Sequence, residues 1–464
     1  MIDTEALRSK IMDLAIRGKL TEQLPEDGRA EDLYAKIQKE KAQLIKEGKI
    51  KKENALPEIM EDEIPFEIPK NWKWTRFGNL MKNRDFERVP VSVADRKKLK
   101  KIYDYYGASG VIDKVEDYLF DSKLLLIGED GANLVSRSTP IAFMANGKYW
   151  VNNHAHVLDY YAEDYLDFVM YYINSISLIP YVTGSAQPKL NQDNMNRIPV
   201  PLPPIAEQKR IIGKVNDILG RIDEIENLQS QYAANIEILK SKLIDAAIRG
   251  KLTEQFPEDG NAEDLYNQIQ DEKARLIKES KIKKEKPLPD ISEDEIPFEI
   301  PKSWKWVRIG KVINEVIVPQ RDKPSFSGNI PWCRIEDRDG IYLNGTKSGQ
   351  YVSEETIREM NLRIFPVGTV LSACSGASIG TILVNTVECC TNQTFNGLVC
   401  NDLFYNWYLF WFLKSEINRL KSMGSGSAMA YISQDKIRNM LIPMPPIAEQ
   451  KRIVEKLEAM MELL

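Results

Sequence analysis

Two histidines are the only ones in the chain, and they stand close together: NNHAHVL, Asn152 to Leu158, carries His154 and His156. Their chemistry would be metal binding or proton transfer. The alternation is that of a strand, and no third histidine or any cysteine lies in that half of the chain, so the pair reads as a satisfied turn or strand edge and not as zinc ligands. All five cysteines (Cys333, Cys374, Cys389, Cys390, Cys400) fall in the second half, odd in number and without a CxxC pair. That pattern argues against a disulfide framework and a zinc site alike. The sequence contains no GxxxxGK[ST] phosphate loop, no GxGxxG, no HExxH and no NPP[FY] tetrad of an adenine methyltransferase. Glu-x-Lys triplets occur, as in Glu47-Gly48-Lys49, but on lysine-rich helix ends where chance places them. No catalytic residue and no metal site is expected.

The residues with a readable chemistry are cations and amides. Arg84, Arg88, Arg96, Lys97, Lys98, Lys100 and Lys101 crowd one segment, and Arg321, Lys323, Arg334 and Arg338 another. Near them in sequence lie glycine- and serine-rich stretches, GEDGANLVSRSTP (Gly128 to Pro140) and SACSGASIG (Ser372 to Gly380). Arginine, lysine, asparagine and glutamine hold phosphate or reach base edges bidentately. The whole chain has a net charge of −5, yet Trp72 to Pro203 and Trp304 to Pro445 are each slightly basic and the rest is acidic. Weak basicity alone does not establish a DNA partner.

These segments are set in a repeat. LRSKIMDLAIRGKLTEQLPEDGRAEDLY begins at Leu7 and returns as LKSKLIDAAIRGKLTEQFPEDGNAEDLY from Leu239; DEIPFEIPKNWKW at Asp62 returns as DEIPFEIPKSWKW at Asp294. A second block, GSAQPKLNQD at Gly184 and GSAMAYISQD at Gly426, leads into PPIAEQKRI at Pro203 and again at Pro445. Between the blocks, Thr75 to Thr183 and Val307 to Ser425 share little. The chain reads constant, variable, constant, variable, constant, with boundaries at 1–61, 62–203, 204–293, 294–445 and 446–464.

The central constant piece has apolar residues at Ile211, Val215, Ile218, Ile222, Ile225, Tyr232, Ile236, Leu239 and Leu243. Steps of four and three are the stripe of a coiled coil, from Pro204 in the first turn to Gly250 at the end. At 1.5 Å per residue the rod is roughly 64 Å long and needs a partner. The C-terminal copy (Ile453, Leu457, Met460, Leu464) and the N-terminal helix (Leu7, Ile11, Leu14) carry the same stripe, so an antiparallel pairing of these two pieces with the intact rod is expected to bury it. The lysine runs KEGKIKKEN and KIKKEK are expected to be solvated linkers, and Trp72, Trp74, Trp304 and Trp306 packing anchors.

With the AIRGKLTEQ blocks (Ala15 to Gln23, Ala247 to Gln255), the DEIPFEIPxxWKW entries and the PLPPIAEQKRI exits in view, the chain resembles the specificity subunit of Type I restriction-modification systems over nearly its whole length. YYGASGVID (Tyr105 to Asp113) and LIGEDGANLVSRSTPIA (Leu126 to Ala142) resemble a type of target-recognition domain. The resemblance implies an α+β protein: two mixed α/β target-recognition domains separated by long antiparallel coiled-coil helices in a pseudo-two-fold circular arrangement. It implies a non-catalytic, DNA-binding chain without a cofactor of its own. Its partners would be double-stranded DNA, two modification (methyltransferase) subunits bringing S-adenosylmethionine, and two restriction subunits using ATP and Mg. Each domain would read half of an asymmetric bipartite site. The contacts expected are Arg84, Arg88, Lys97, Lys98, Arg137, Asn153, Gln187 and Lys189 in the first domain. In the second they are Arg321, Lys323, Arg334, Arg338, Ser378, Asn392 and Gln393. A scaffold that joins only protein partners is the alternative, separable by salt-dependent retention on DNA. The charged N-terminus (MIDTEALRSKIMDLAIRGKL) has no signal-peptide pattern and no apolar run reaches membrane length, so a cytoplasmic location is expected.

Overall fold

A computed structural model describes residues 1–52, 54–161, 166–184, 186–319, 322–424 and 430–464. The chain divides into two compact units, Met1–Gln231 and Tyr232–Leu464, and each is built to one plan.

In the first unit, helix α1 (Thr4–Ile16) starts where the Asp3 carboxylate accepts the Ala6 N–H at 2.9 Å. Helix α2 (Ala30–Lys46) and helix α3 (Leu166–Ser175) follow, and the unit closes on the first part of helix α4 (Ile205–Ile248). α1 lies antiparallel to α4: Ile2 meets Gln229, Arg8 bridges Asp223 and Glu226, and further on Gln23 reaches Glu207. The second unit repeats this with the last part of α4, helix α5 (Ala262–Lys278), helix α6 (Asn406–Ser415) and helix α7 (Ile447–Glu462). The expected stripe is buried only where such a partner lies alongside. Ile211, Val215, Ile222 and Leu243 are buried, but Tyr232 is 63% exposed and Leu239 43%. The middle of the rod is therefore open, contrary to the expectation of a stripe covered throughout.

The repeated nonapeptide is a clasp. Glu207 is fully buried and accepts the Trp72 indole N–H at 2.8 Å and the Gln23 amide at 2.8 Å. Gln208 donates to the Pro203 carbonyl, and Arg210 grips Asp27 and the Glu22 carbonyl. Every one of these bonds recurs: Glu449 with Trp304 and Gln255, Gln450 with the Pro445 carbonyl, Arg452 with Asp259 and the Glu254 carbonyl. A buried carboxylate is tolerated only when hydrogen-bonded in this way, so the exit peptide and the entry tryptophan are fixed as a pair. The glycine of AIRGK is fixed too: Gly18 has φ +67 and a Cβ there would come within 2.5 Å of Pro69, as Gly250 (φ +68) would of Pro301.

Each variable segment enters and leaves side by side. Strand β1 (Lys73–Arg76) pairs antiparallel with β10 (Pro199–Leu202), and β11 (Lys305–Arg308) with β20 (Leu441–Met444). Between them the first unit has β2 (Met81–Asn83), β3 (Tyr103–Gly107), β4 (Gly110–Val115), β5 (Phe120–Asp121), β6 (Leu124–Gly128), β7 (Ala142–Ala145), β8 (Lys148–Val151) and β9 (Ala155–Tyr160). They form a major sheet, β2-β9-β6-β7, and a minor one, β4-β3-β8-β5. The second unit has β12 (Ile313–Ile317), β13 (Ile330–Cys333), β14 (Tyr342–Leu343), β15 (Tyr351–Val352), β16 (Val370–Ala373), β17 (Ile382–Asn385), β18 (Cys390–Thr391) and β19 (Phe395–Cys400). Its sheets are β12-β19-β16-β17-β14 and β15-β13-β18. Parallel pairs β3–β8 and β13–β18 correspond, as do the antiparallel pairs β6–β9 and β16–β19. The two variable segments thus share a topology that their residues do not show. Tyr172 of α3 donates to the Pro199 carbonyl and Tyr408 of α6 to that of Pro443, so the helix over each sheet is pinned alike. The fold class is α+β: two mixed α/β domains of one plan carried on long helices, of which α4 runs to 44 residues.

Candidate nucleic-acid interface

In the first unit β6 ends at Gly128 where β9 begins at Ala155, so the turn after β6 and the turn before β9 meet at one end of the major sheet. Glu129 N–H donates to the His154 carbonyl, Leu190 N–H to the Glu129 carbonyl, and Gly131 N–H to the Pro188 carbonyl. Three loops, 129–131, 152–154 and 183–190, are thereby laced together by their backbones. The β3–β4 hairpin joins them: a Cβ on Gly128 would come within 2.6 Å of the Ala108 carbonyl oxygen.

A buried ionic network lies beneath. His156 is buried in β9; its Nε2 faces the Leu190 carbonyl at 2.8 Å and its Nδ1 the Asp85 carboxylate at 2.7 Å. Both ring nitrogens thus face an acceptor. Arg88 donates to Glu129 at 2.7 Å and to the Ala155 carbonyl at 2.7 Å, and Lys189 stands 3.1 Å from Glu129. Burial alone would raise the Asp85 and Glu129 carboxyls, but bonds and charges from His156 and Arg88 hold both below the usual range. Asp85, Glu129 and His156 come close enough to share a cation. The Arg88 guanidinium and Lys189 ammonium already neutralise Glu129, so the group reads as an ion network that braces the loops.

The expected contacts divide accordingly. Asn153, Gln187 and Lys189 come together on the laced loops; the first two are exposed, with no hydrogen bond or ion pair from their side chains among the described residues, and Lys189 keeps 53% of its side chain in solvent. Lys97 and Lys98 are exposed at the end of the one-turn helix Val93–Arg96, which packs by the minor sheet. Three arginines are engaged internally. Arg84 pairs bidentately with Glu87 and lies over the Phe120 ring, Arg88 serves the network, and Arg137 caps α3 through the Ile176 carbonyl at 2.7 Å. His154, read from the sequence as a satisfied turn or strand edge, pairs with Asp130 at 2.8 Å on the same loops and is 49% exposed; Asp130 was not singled out by sequence, and only the GED turn could have signalled it.

The second unit builds the same end. Cys374 N–H donates to the Thr394 carbonyl, Ile432 N–H to the Cys374 carbonyl, and Gly376 N–H to the Ala430 carbonyl. The place of His156 is taken by Asn396, whose amide donates to the Ile432 carbonyl at 2.9 Å. Asn392, Gln393 and Ser378 lie on these loops, and Arg334 follows β13 next to them, bonded to Gln350. Ser378 is turned onto the Ser375 carbonyl. Arg338 is exposed, Lys323 lies over the Phe326 ring, and Arg321 lies outside the described residues.

Two modules with one backbone plan, each presenting its own polar side chains on laced loop tips, define a modular recognition protein. Residues 69–234 and 301–464 match the Type I restriction modification DNA specificity domain, and the chain belongs to that family, carrying its domain twice. It is similar to the EcoAI specificity subunit of Escherichia coli, 26% identical over 98% of this chain and 88% of the relative, and to the EcoEI specificity subunit of the same species, 27% over 97% and 88%. The fold matches the HsdS subunit from Thermoanaerobacter tengcongensis with a TM-score of 0.52 at 18% identity, over 86% of this chain and 91% of that one. A chain solved in work on complex assembly and conformational transition of the type I R-M system gives 0.55 at 17%, over 86% and 92%. The chain is a specificity subunit, a recognition component and not a catalytic one. Among the described residues no helix is long and apolar enough to cross a membrane.

Proposed function

We propose that each variable domain reads one half of an asymmetric, bipartite DNA site through the loop end of its major sheet. The observation that carries this reading is the repetition of one laced loop end with different side chains. Asn153, His154 and Gln187 in the first unit and Arg334, Asn392 and Gln393 in the second offer different donor and acceptor sets, so the half-sites differ, while Lys189 would hold phosphate. α4 carries the chain from one domain to the next and would fix the number of unread base pairs between them.

Two methyltransferase subunits would dock, one per unit. The same face of the repeated helix lines a groove in each: Arg8, Met12 and Ile16 beside Phe143 and Met170 in the first, Lys240, Ile244 and Ile248 beside Trp411 and Phe412 in the second. S-adenosylmethionine would sit on those partners, and ATP and Mg on restriction subunits, in keeping with a chain that carries no motif for either. Working beside cytoplasmic DNA follows from the same role.

The test is a single-molecule map of N6-methyladenine in host DNA with and without the gene. Loss of one split, asymmetric motif on deletion supports the reading and reveals both half-sites. An unchanged map, with the modification subunit shown to be active, overturns it.

A further inference from the structure

Phe86 stands in water under unusual constraint. It is 81% exposed, more than any other large apolar side chain among the described residues except Met1 and Leu463. No ring or cation stacks on it among the described residues. Yet the turn that holds it, Asp85–Glu87, is among the most firmly tied in the unit. Asp85 accepts the Val157 N–H at 2.7 Å with one carboxylate oxygen and the His156 ring at 2.7 Å with the other, while Asn83 accepts its N–H at 2.8 Å. On one side Arg84 grips Glu87 twice, and on the other Arg88 donates to Glu129 and the Ala155 carbonyl. The buried network beneath the loops therefore also fixes the backbone that carries Phe86, tying it to Glu129 and to β9, the strand that follows the Asn153–His154 turn.

A turn that merely connected strands would gain nothing by holding a phenyl ring out in solvent, since exposing it loses its burial energy. An aromatic held out from an anchored backbone, on a turn tied through Glu129 and β9 to the laced loops, suits insertion against a base step, where apolar side chains unstack neighbouring bases or stack on one. We infer that Phe86 is a base-stacking wedge for the first half-site, positioned by Asp85, Arg88 and His156. This inference rests on the reading of the loop end as a DNA face. Arg88, expected to contact DNA itself, becomes a positioning residue.

The test uses the complete complex with its methyltransferase subunits and a duplex bearing the motif found by the methylation map. The adenine analogue 2-aminopurine replaces adenines in each half-site in turn. Expected are a fluorescence rise from unstacking in the first half-site, its loss in Phe86→Ala, a fall of about 10- to 100-fold in specific affinity, and recovery of both in Phe86→Trp. Thermal melting of the variant should be nearly unchanged, because the side chain is 81% exposed. Wild-type affinity and signal in Phe86→Ala would overturn the inference. So would release of the methyltransferase subunit by that variant, which would make Phe86, with the exposed Val89 and Val93, a protein contact. Absence of any motif in the map would instead fell the DNA-reading proposal itself, so the two failures are distinguishable.

Discussion

Single residues fall into those that would face DNA and those that hold the face in place, and substitution separates them. Lys189 has most of its ammonium arm in solvent, so Lys189→Ala should weaken binding to all sequences alike and lower the salt slope of log K by about one. Titrating a duplex at several salt concentrations checks this. Arg137 is expected to behave otherwise. Its guanidinium holds the carbonyls of Ile173 and Ile176, so Arg137→Ala should loosen the end of α3 and leave the salt slope unchanged. Glu207→Ala would strand the buried indole N–H of Trp72 and the amide of Gln23, a loss of about 3 kcal/mol. Hydrogen exchange should rise in peptides from Met1–Gln231 and stay as it was in those from the second unit. Residue types and spacing in the sequence suggest contact residues but not their engagement. Lys97, Asn153 and Gln187 stand exposed, while Arg84, Arg88 and Arg137 have partners far off in the chain, 67 positions away for the Ala155 carbonyl that Arg88 holds, that no local pattern reveals.

Elements were legible where repetition or period marked them. The four-three stripe of α4 and the WKW entries announce a rod and two framed domains. The shared topology of β6–β9 and β16–β19 was hidden, because buried strands such as LLLIG ask only for apolar bulk and any sequence supplying it will serve. The open middle of α4 was also beyond reach, since a stripe in sequence does not say how far its partner extends. Framing by β1–β10 has a consequence at this scale. Replacing everything between those strands with another such domain, with Trp72 and Glu207 kept, should change one half-site and leave the other intact. The methylation map of a strain carrying the exchange decides this; if both halves changed, the domains would not read separately.

The whole molecule has an acid limit set by paired carboxylates. The Arg76 guanidinium holds Glu63 down from 4.5 to about 2, Arg210 and Arg452 depress Asp27 and Asp259, and the loop network depresses Asp85 and Glu129. These groups bind protons more readily once unfolded. Their contribution is complete above the ordinary carboxylate range and is lost as pH falls from about 4.5 toward 2. Urea midpoints should hold between pH 7 and 5 and drop at pH 3; a midpoint unmoved at pH 3 would show that the pairs contribute little. The clasp also bears on how the chain is made. Glu207 closes a unit whose helix α1 and tryptophan Trp72 were synthesised long before it, and Glu449 does the same for Gln255 and Trp304. On the ribosome each module can lock only once its own clasp has emerged from the exit tunnel, and until then its apolar helix faces stay uncovered. Nascent modules whose clasp glutamate has yet to emerge are where chaperones should be found.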